Sequence, residues 1–339
     1  MNKITHEVKN SGFIHEEPPV EDYKAVLGGI SKSPLKEPPT IFKDGIGWKE
    51  VWAEYDVAEL QFNRKFDTYS CVVYGIAKAT CLYLYEVYDI NITISEMYNA
   101  FFADVVQNKG TTVSKGFKSF RKHGWISDKK YSFNYETTAK EFFRKPPKEI
   151  CIKAEGSLLK FDFHYEVLEN NLETIFEAYK KTPVVLSGFA WIGSDLGVYF
   201  DNGNTPNHVF LGLEPLINGN NLISDTYTKN FKYKNESELR SEDLLKELDK
   251  SFKYGSAHRC WVTLKKEKKS LLNKTIDMLK KIGRDIRGGL YFIKDGKKQK
   301  IENGFQGFAA LVEELGIDPK NNNVSDEKLA KLKDYKFFG

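Results

Sequence analysis

The longest nearly unbroken apolar run in the chain is CVVYGIAKATCLYLYEVY, from Cys71 to Tyr88. It is apolar on almost every side, which predicts a helix buried at the centre of a domain rather than one lying on a surface. Lys78, Glu86 and the many tyrosines within it argue against a membrane span. Thr93 and Glu96 have capping-box spacing ahead of MYNAFFADVV and predict the next helix. Ser114 to Lys122 reads as a short basic helix ended by Gly124. NNLETIFEAYKK predicts a fourth, which stops before Pro183.

Beyond Pro183 the period changes. PVVLSGFAW, GVYF, HVFLGLEPL, NLISDTY and RCWVTLK are short runs of β-branched and aromatic residues, divided by turn sequences such as Asn218-Gly219-Asn220-Asn221. One helix is expected among them, around SEDLLKELDKS. Helices first and strands after predict an α+β chain with a helical lobe followed by an antiparallel β lobe.

The ends of the chain read differently. Residues 1–48 hold Pro18-Pro19, Pro38-Pro39 and Gly28-Gly29 with little periodicity, and predict an extended N-terminal arm. The stretch GGISKS lacks the spacing of a phosphate-binding loop. Residues 266–288 keep Leu272, Ile276, Leu279 and Ile286 at helical spacing between lysines, a basic amphipathic connector whose charges read as a solvated face. Residues 289–339 form a small C-terminal module: a hairpin of LYFI and KKQKI through Lys294-Asp295-Gly296, then FAALVEELG and a last helix near DEKLAKLKD. The main domain is then 49–265.

Composition narrows the function. The 339 residues are 41% hydrophobic and 14% aromatic, enough for a sizeable core and against wholesale disorder. A formal net charge of +4 over this length implies neither a nucleic acid nor an anionic membrane as partner. MNKITHEVKN lacks the apolar core of a signal peptide. The four cysteines, Cys71, Cys81, Cys151 and Cys260, make no CxxC pair, so free thiols and no structural zinc are expected. Asp195, Asp201 and His208 could be drawn as a metal set, but Asn202, Gly203 and Asn204 fit a surface turn better, and no metal is expected.

Three residues could carry chemistry together. Cys71 stands at the start of the predicted central helix, where the helix N-terminus and a neighbouring His would lower a thiol's pKa. His208 opens a strand. Asp225 ends the next one, and adjacent antiparallel strands can set the two side by side, with the acid orienting the imidazole. Taken singly, each has a plainer reading: a small core residue, a structural histidine and a strand-end turn residue.

The order of a Cys at the head of a helix, a helical lobe, then a β lobe carrying His and an acid resembles the papain family of cysteine peptidases. The resemblance spans roughly residues 55–265. GVYF, Asn207-His208 and LISDTY resemble the family's Gly-x-Tyr strand, its His strand and the strand ending in the orienting amide or acid. ELQFNRKFDTYSCV resembles the Gln-to-Cys segment of divergent members that phages encode. The resemblance implies a two-lobed papain-like fold and a cysteine peptidase acting on a peptide or protein. Cys71 would be its nucleophile, His208 its base, Asp225 the orienting residue and Gln61 an oxyanion-hole donor, and no cofactor would be needed. The family has Asn where this chain has Asp225, and Trp after the nucleophile where this chain has Val72. It also shields the orienting residue with a tryptophan that has no counterpart after Tyr227. The arm and lysine-rich tail resemble those of the phage proteins, implying other phage structural proteins as partners and a place in the host cytoplasm or the virion. Two other functions stay open: a virion structural protein that keeps the scaffold with little or no activity, and a peptidoglycan-cleaving Cys-His amidase or endopeptidase.

Overall fold

The structure is a computed structural model. It describes residues 4–5, 12–16, 37–55, 59–63, 65–190, 192–193, 197–201, 205–227, 239–265, 291–294, 297–300 and 336–338. The chain divides into two compact units, Met1–Leu264 and Lys265–Gly339.

The first unit is organised around the helix that the apolar run predicts. A short strand β1 (Ile4–Thr5) and helix α1 (Trp48–Tyr55) precede α2 (Cys71–Tyr88), whose first fourteen residues are all buried. Helices α3 (Glu96–Phe102), α4 (Val113–His123), α5 (Ala139–Phe142) and α6 (Lys148–Lys160) complete the helical part. Strand β2 (Phe161–Leu168) and helix α7 (Leu172–Tyr179) lead into β3 (Val184–Gly188), β4 (Ile192–Gly193), β5 (Val198–Phe200), β6 (His208–Pro215), β7 (Asn221–Ser224), β8 (Leu245–Leu248) and β9 (Tyr254–Leu264). Among the described residues these strands make one sheet in the order β1-β4-β5-β8-β7-β6-β3-β9-β2, antiparallel except for the β5–β8 pair.

Close packing of α2 on β6 depends on Gly75. A Cβ there would lie 3.2 Å from Val209 Cγ1, so the absence of a side chain brings the first turn of α2 against the start of β6. Phe210 and Val185 lie in the same core, which gains its stability from apolar surface removed from water. The segment before α1 is tied to this unit as well. The Ile41 and Phe42 N–H groups donate to Lys180 O, and the Gly47 N–H donates to Glu214 Oε2 at 3.0 Å.

Two local expectations are corrected. SEDLLKELDKS is not a helix: Ser241–Leu244 is a 3-10 turn and Leu245–Leu248 is strand β8. The helix-forming residues yield to pairing with β7, in which Ile223 lies opposite Lys246 and Ser224 opposite Leu245. The cap of α3 is Ser95, which accepts from the Tyr98 N–H, rather than Thr93. Helix α6 and strand β2 had no counterpart in the sequence reading.

In the second unit β10 (Tyr291–Lys294) pairs antiparallel with β11 (Lys297–Lys300) and with β12 (Lys336–Phe338). The connector 266–288, FAALVEELG, the helix near DEKLAKLKD, both the GGISKS stretch and Pro18-Pro19, and Asp195 lie outside the described residues. No helix among the described residues is long and apolar enough to cross a membrane.

Candidate active site

Strand pairing explains how His208 and Asp225 meet. Leu211 of β6 lies opposite Ser224 of β7, so the next residue, Asp225, falls beside Phe210 and diagonal to His208 on the same face. The result is a bond of 2.6 Å between His208 Nε2 and Asp225 Oδ1. The Thr226 N–H donates to the same oxygen at 2.6 Å.

Cys71 is the first residue of α2, the helix that packs on β6 through Gly75 and Val209. Val209, the residue after His208, lies where α2 packs on β6. Burial is the main influence on the thiol and pushes its pKa above the ordinary range. The backbone at Val209 and Val72 opposes that, while the negative charges of Asp67 and Asp225 add to it. Cys71, His208 and Asp225 are all 0% exposed.

The other oxygen of Asp225 carries a residue that the sequence reading placed in a helix. Lys246 Nζ pairs with Asp225 Oδ2 and also donates to Tyr227 O at 2.7 Å. Burial alone would raise the Asp225 pKa, but the charges of Lys246 and His208 hold it well below the usual carboxylate range. A second lysine, Lys78 of α2, donates to the backbone oxygen of Asp225 at 3.2 Å and lies 5.1 Å from the Trp52 ring centroid. No sequence signal marked Lys246, because its role arises from β7–β8 pairing.

Gln61, the expected oxyanion donor, is held by three neighbours. It is buried, and its Nε2 donates to Asp67 Oδ1 at 3.0 Å and to the Tyr227 hydroxyl at 2.7 Å, while its Oε1 accepts from Thr226 Oγ1 at 2.7 Å. Both amide protons are thus committed to neighbours, and the side chain braces the loop before α2 against the segment after β7. Tyr227 donates in turn to Asp67 Oδ2 at 2.5 Å. Its ring centroid lies 5.4 Å from that of His208. Asp67 and Tyr227 are the other members of the cluster that the sequence did not single out.

The N-terminal segment packs against Thr111 and the loop that leads into Cys71. Thr111 N–H donates to Gly12 O at 3.0 Å and Ile14 N–H donates to Thr111 O at 2.9 Å, a parallel bridge between Phe13 and Thr111. A Cβ on Gly12 would fall 2.2 Å from the carbonyl carbon of Tyr69, two residues before Cys71. Phe13 is buried and lines a cavity with Val113, Phe117, Tyr165 and His258. Among the described residues no three His, Cys, Asp or Glu side chains gather as a metal site.

No protein-family model and no curated protein matches the chain. Among solved structures it is similar to xylellain, a cysteine protease from Xylella fastidiosa, with a TM-score of 0.51 and 15% identity over 77% of this chain and 98% of that one. Bromelain from Ananas comosus matches at a TM-score of 0.44 and 16% identity over 65% of this chain and 98% of its own. The ragweed pollen cysteine protease Amb a 11, in its proform, matches at 0.44 and 14% identity, over 68% and 67%. At such identities the likeness to xylellain speaks to architecture, and the chain has an α+β fold of the papain-like cysteine protease kind.

Proposed function

We propose that this chain is a papain-like cysteine peptidase acting on peptide or protein substrates. The observation that carries this reading is the buried His208–Asp225 bond of 2.6 Å beside the head of the helix that bears Cys71. In the proposed reaction the Cys71 sulfur attacks the scissile carbonyl carbon and His208 takes up the thiol proton. The backbone N–H of Cys71 stabilises the oxyanion, a contribution of about 10²–10³ in rate per donor. Collapse breaks the C–N bond as His208 gives its proton to the leaving amine. Water, deprotonated by His208, then releases the acyl group. Asp225 holds the tautomer and orientation of the ring throughout. The phage-encoded branch of the reading rests on the sequence resemblance.

One observation favours the scaffold reading instead. The Cys71 thiol is buried with its ionisation suppressed, as it would be in a protein that keeps the architecture without turnover. The two readings separate when the N-terminal segment is dislodged by Gly12→Val in the full-length chain. Incubation with a peptide mixture, followed by mass spectrometry, should show cleavage that Cys71→Ala abolishes. Cleavage of peptidoglycan stem peptides alone would make the chain an amidase or endopeptidase of the cell wall. Cleavage of neither substrate would leave the scaffold.

A further inference from the structure

Lys246 is buried without any obvious need for it in a peptidase. Its side chain is 0% exposed, and it spans from β8 to the carboxylate of Asp225 and the carbonyl of Tyr227, with the Tyr199 ring centroid 5.8 Å from its Nζ. Burying an ammonium group is expensive unless it is paired, and a well-packed apolar residue often serves stability as well. Stability alone therefore does not account for a lysine here. What it does is specific. Asp225 Oδ1 is occupied by His208 and the Thr226 N–H, and Oδ2 is occupied by Lys246. The carboxylate can neither rotate nor offer its outer oxygen to the ring.

We propose that Lys246 is a positioning residue: by holding Oδ2 it fixes Asp225 against His208, and by its charge it offsets most of the negative field that the imidazole would otherwise meet. The pair then presents His208 with an acceptor of nearly zero net charge, leaving the ring able to give up its proton. A lone buried carboxylate would retain that proton strongly. This deepens the peptidase reading and rests on it for its catalytic meaning, though the electrostatic claim is separable.

Among the described residues, titratable groups face His208 and Asp225 from several elements. They include Cys71 and Lys78 from α2, Asp67 from the loop before it, Tyr199 from β5, Tyr227 after β7 and Lys246 from β8. In a Lys246→Met variant all of them stay except the ammonium. An opposite charge within about 4–6 Å moves a titration by about 1–3 pH units. Removal of the charge that opposes Asp225 should therefore move the imidazole titration to higher pH.

The test is an NMR titration of the full-length protein with ring-labelled histidine, the His208 signal being assigned by its loss in His208→Gln. Lys246→Met should titrate at least about 1 pH unit higher than the unsubstituted chain. Lys246→Arg, which keeps the charge, should stay within a few tenths. Should Lys246→Met fail to fold, Lys246→Gln, which keeps a hydrogen-bond donor but carries no charge, gives the same comparison with Asp225 in place. It should again titrate higher than the unsubstituted chain. Coincident midpoints in either comparison would overturn the role of Lys246 and leave the peptidase reading standing. Conversely, a shifted midpoint in a protein whose Cys71 never reacts with iodoacetamide, even after Gly12→Val, would uphold Lys246 and sink the peptidase.

Discussion

Gly12 sits directly against the backbone of Tyr69, so close that a Cβ on Gly12 would lie 2.2 Å from both the carbonyl carbon and the carbonyl oxygen of Tyr69. Backbone atoms at that distance cannot yield as the tip of a side chain can, and the φ of +97° at Gly12 is itself unsuited to other residues. Gly12→Val should therefore lift the segment from the loop that leads into Cys71. In the unsubstituted protein, brief alkylation should label half-buried Cys151 ahead of Cys71, reversing the order that a helix N-terminus alone suggests. In Gly12→Val the labelling of Cys71 should rise at least about tenfold, a change of roughly 1.4 kcal/mol in the accessibility equilibrium. Peptide mapping by mass spectrometry reads both rates. An unchanged rate at Cys71 would show that something other than this segment covers it.

Gln61 distinguishes a brace from a catalytic donor. Its amide joins Asp67, Tyr227 and Thr226. Gln61→Ala leaves buried polar partners unsatisfied, at a cost of about 1–3 kcal/mol. In a unit of this size that lowers Tm by several degrees. Activity per folded molecule should fall by less than about tenfold, because removing a true oxyanion donor costs about 10²–10³ in kcat. A loss of that larger size with Tm unchanged would restore the oxyanion role.

The contrast between Gln61 and Lys246 shows what the sequence could and could not disclose. Helix α2 was legible because its eighteen residues are nearly all apolar, and β3, β6 and β9 because their runs are β-branched or aromatic and buried on both faces. The position of Cys71 at a helix start and the adjacency of His208 and Asp225 followed from those elements. Helix α6 was not legible, since its apolar residues include the exposed Ile152 and Leu159 and few positions mark a buried face. Strand β8 was misread because LLKELD favours a helix locally and becomes a strand only by pairing with β7. That pairing is also what delivers Lys246 to Asp225, so neither the strand nor its lysine is marked by local sequence.

Asp225 should make the protein acid-sensitive in a definite direction. Its folded pKa lies below that of the unfolded chain, held there by Lys246 and His208 against the effect of burial. As pH falls through about 4, the unfolded chain takes up a proton at Asp225 that the folded one refuses, and stability is lost. Asp225→Asn/Lys246→Met removes the carboxylate and its partner together. Urea unfolding between pH 5 and 3 should therefore give a shallower decline for the double variant than for the unsubstituted protein. Lys246→Met alone should be about 3–5 kcal/mol less stable at pH 7, because it strands a buried charge. Parallel declines would mean that Asp225 is not the residue that titrates.

Glu96 should act with the opposite sign. It lies in the first turn of α3, where a carboxylate usually favours the helix, yet it is buried. Burial, followed by the nearby charges of Glu59 and Asp128, raises its pKa well above the usual carboxylate range. The unfolded chain releases this proton as pH passes about 4.3, while the folded protein retains it until its higher pKa is reached. Across that interval the unfolded state binds fewer protons, so stability falls as pH rises. Glu96→Gln keeps the shape of the protonated acid and cannot ionise. Its Tm should lie close to that of the unsubstituted protein at pH 5 and rise progressively above it toward pH 8, by several degrees. Thermal unfolding of the two proteins at half-unit pH intervals measures the difference. A constant offset across the range would show that Glu96 is ionised in the folded state at pH 5 already, and that a cation of the fold compensates it.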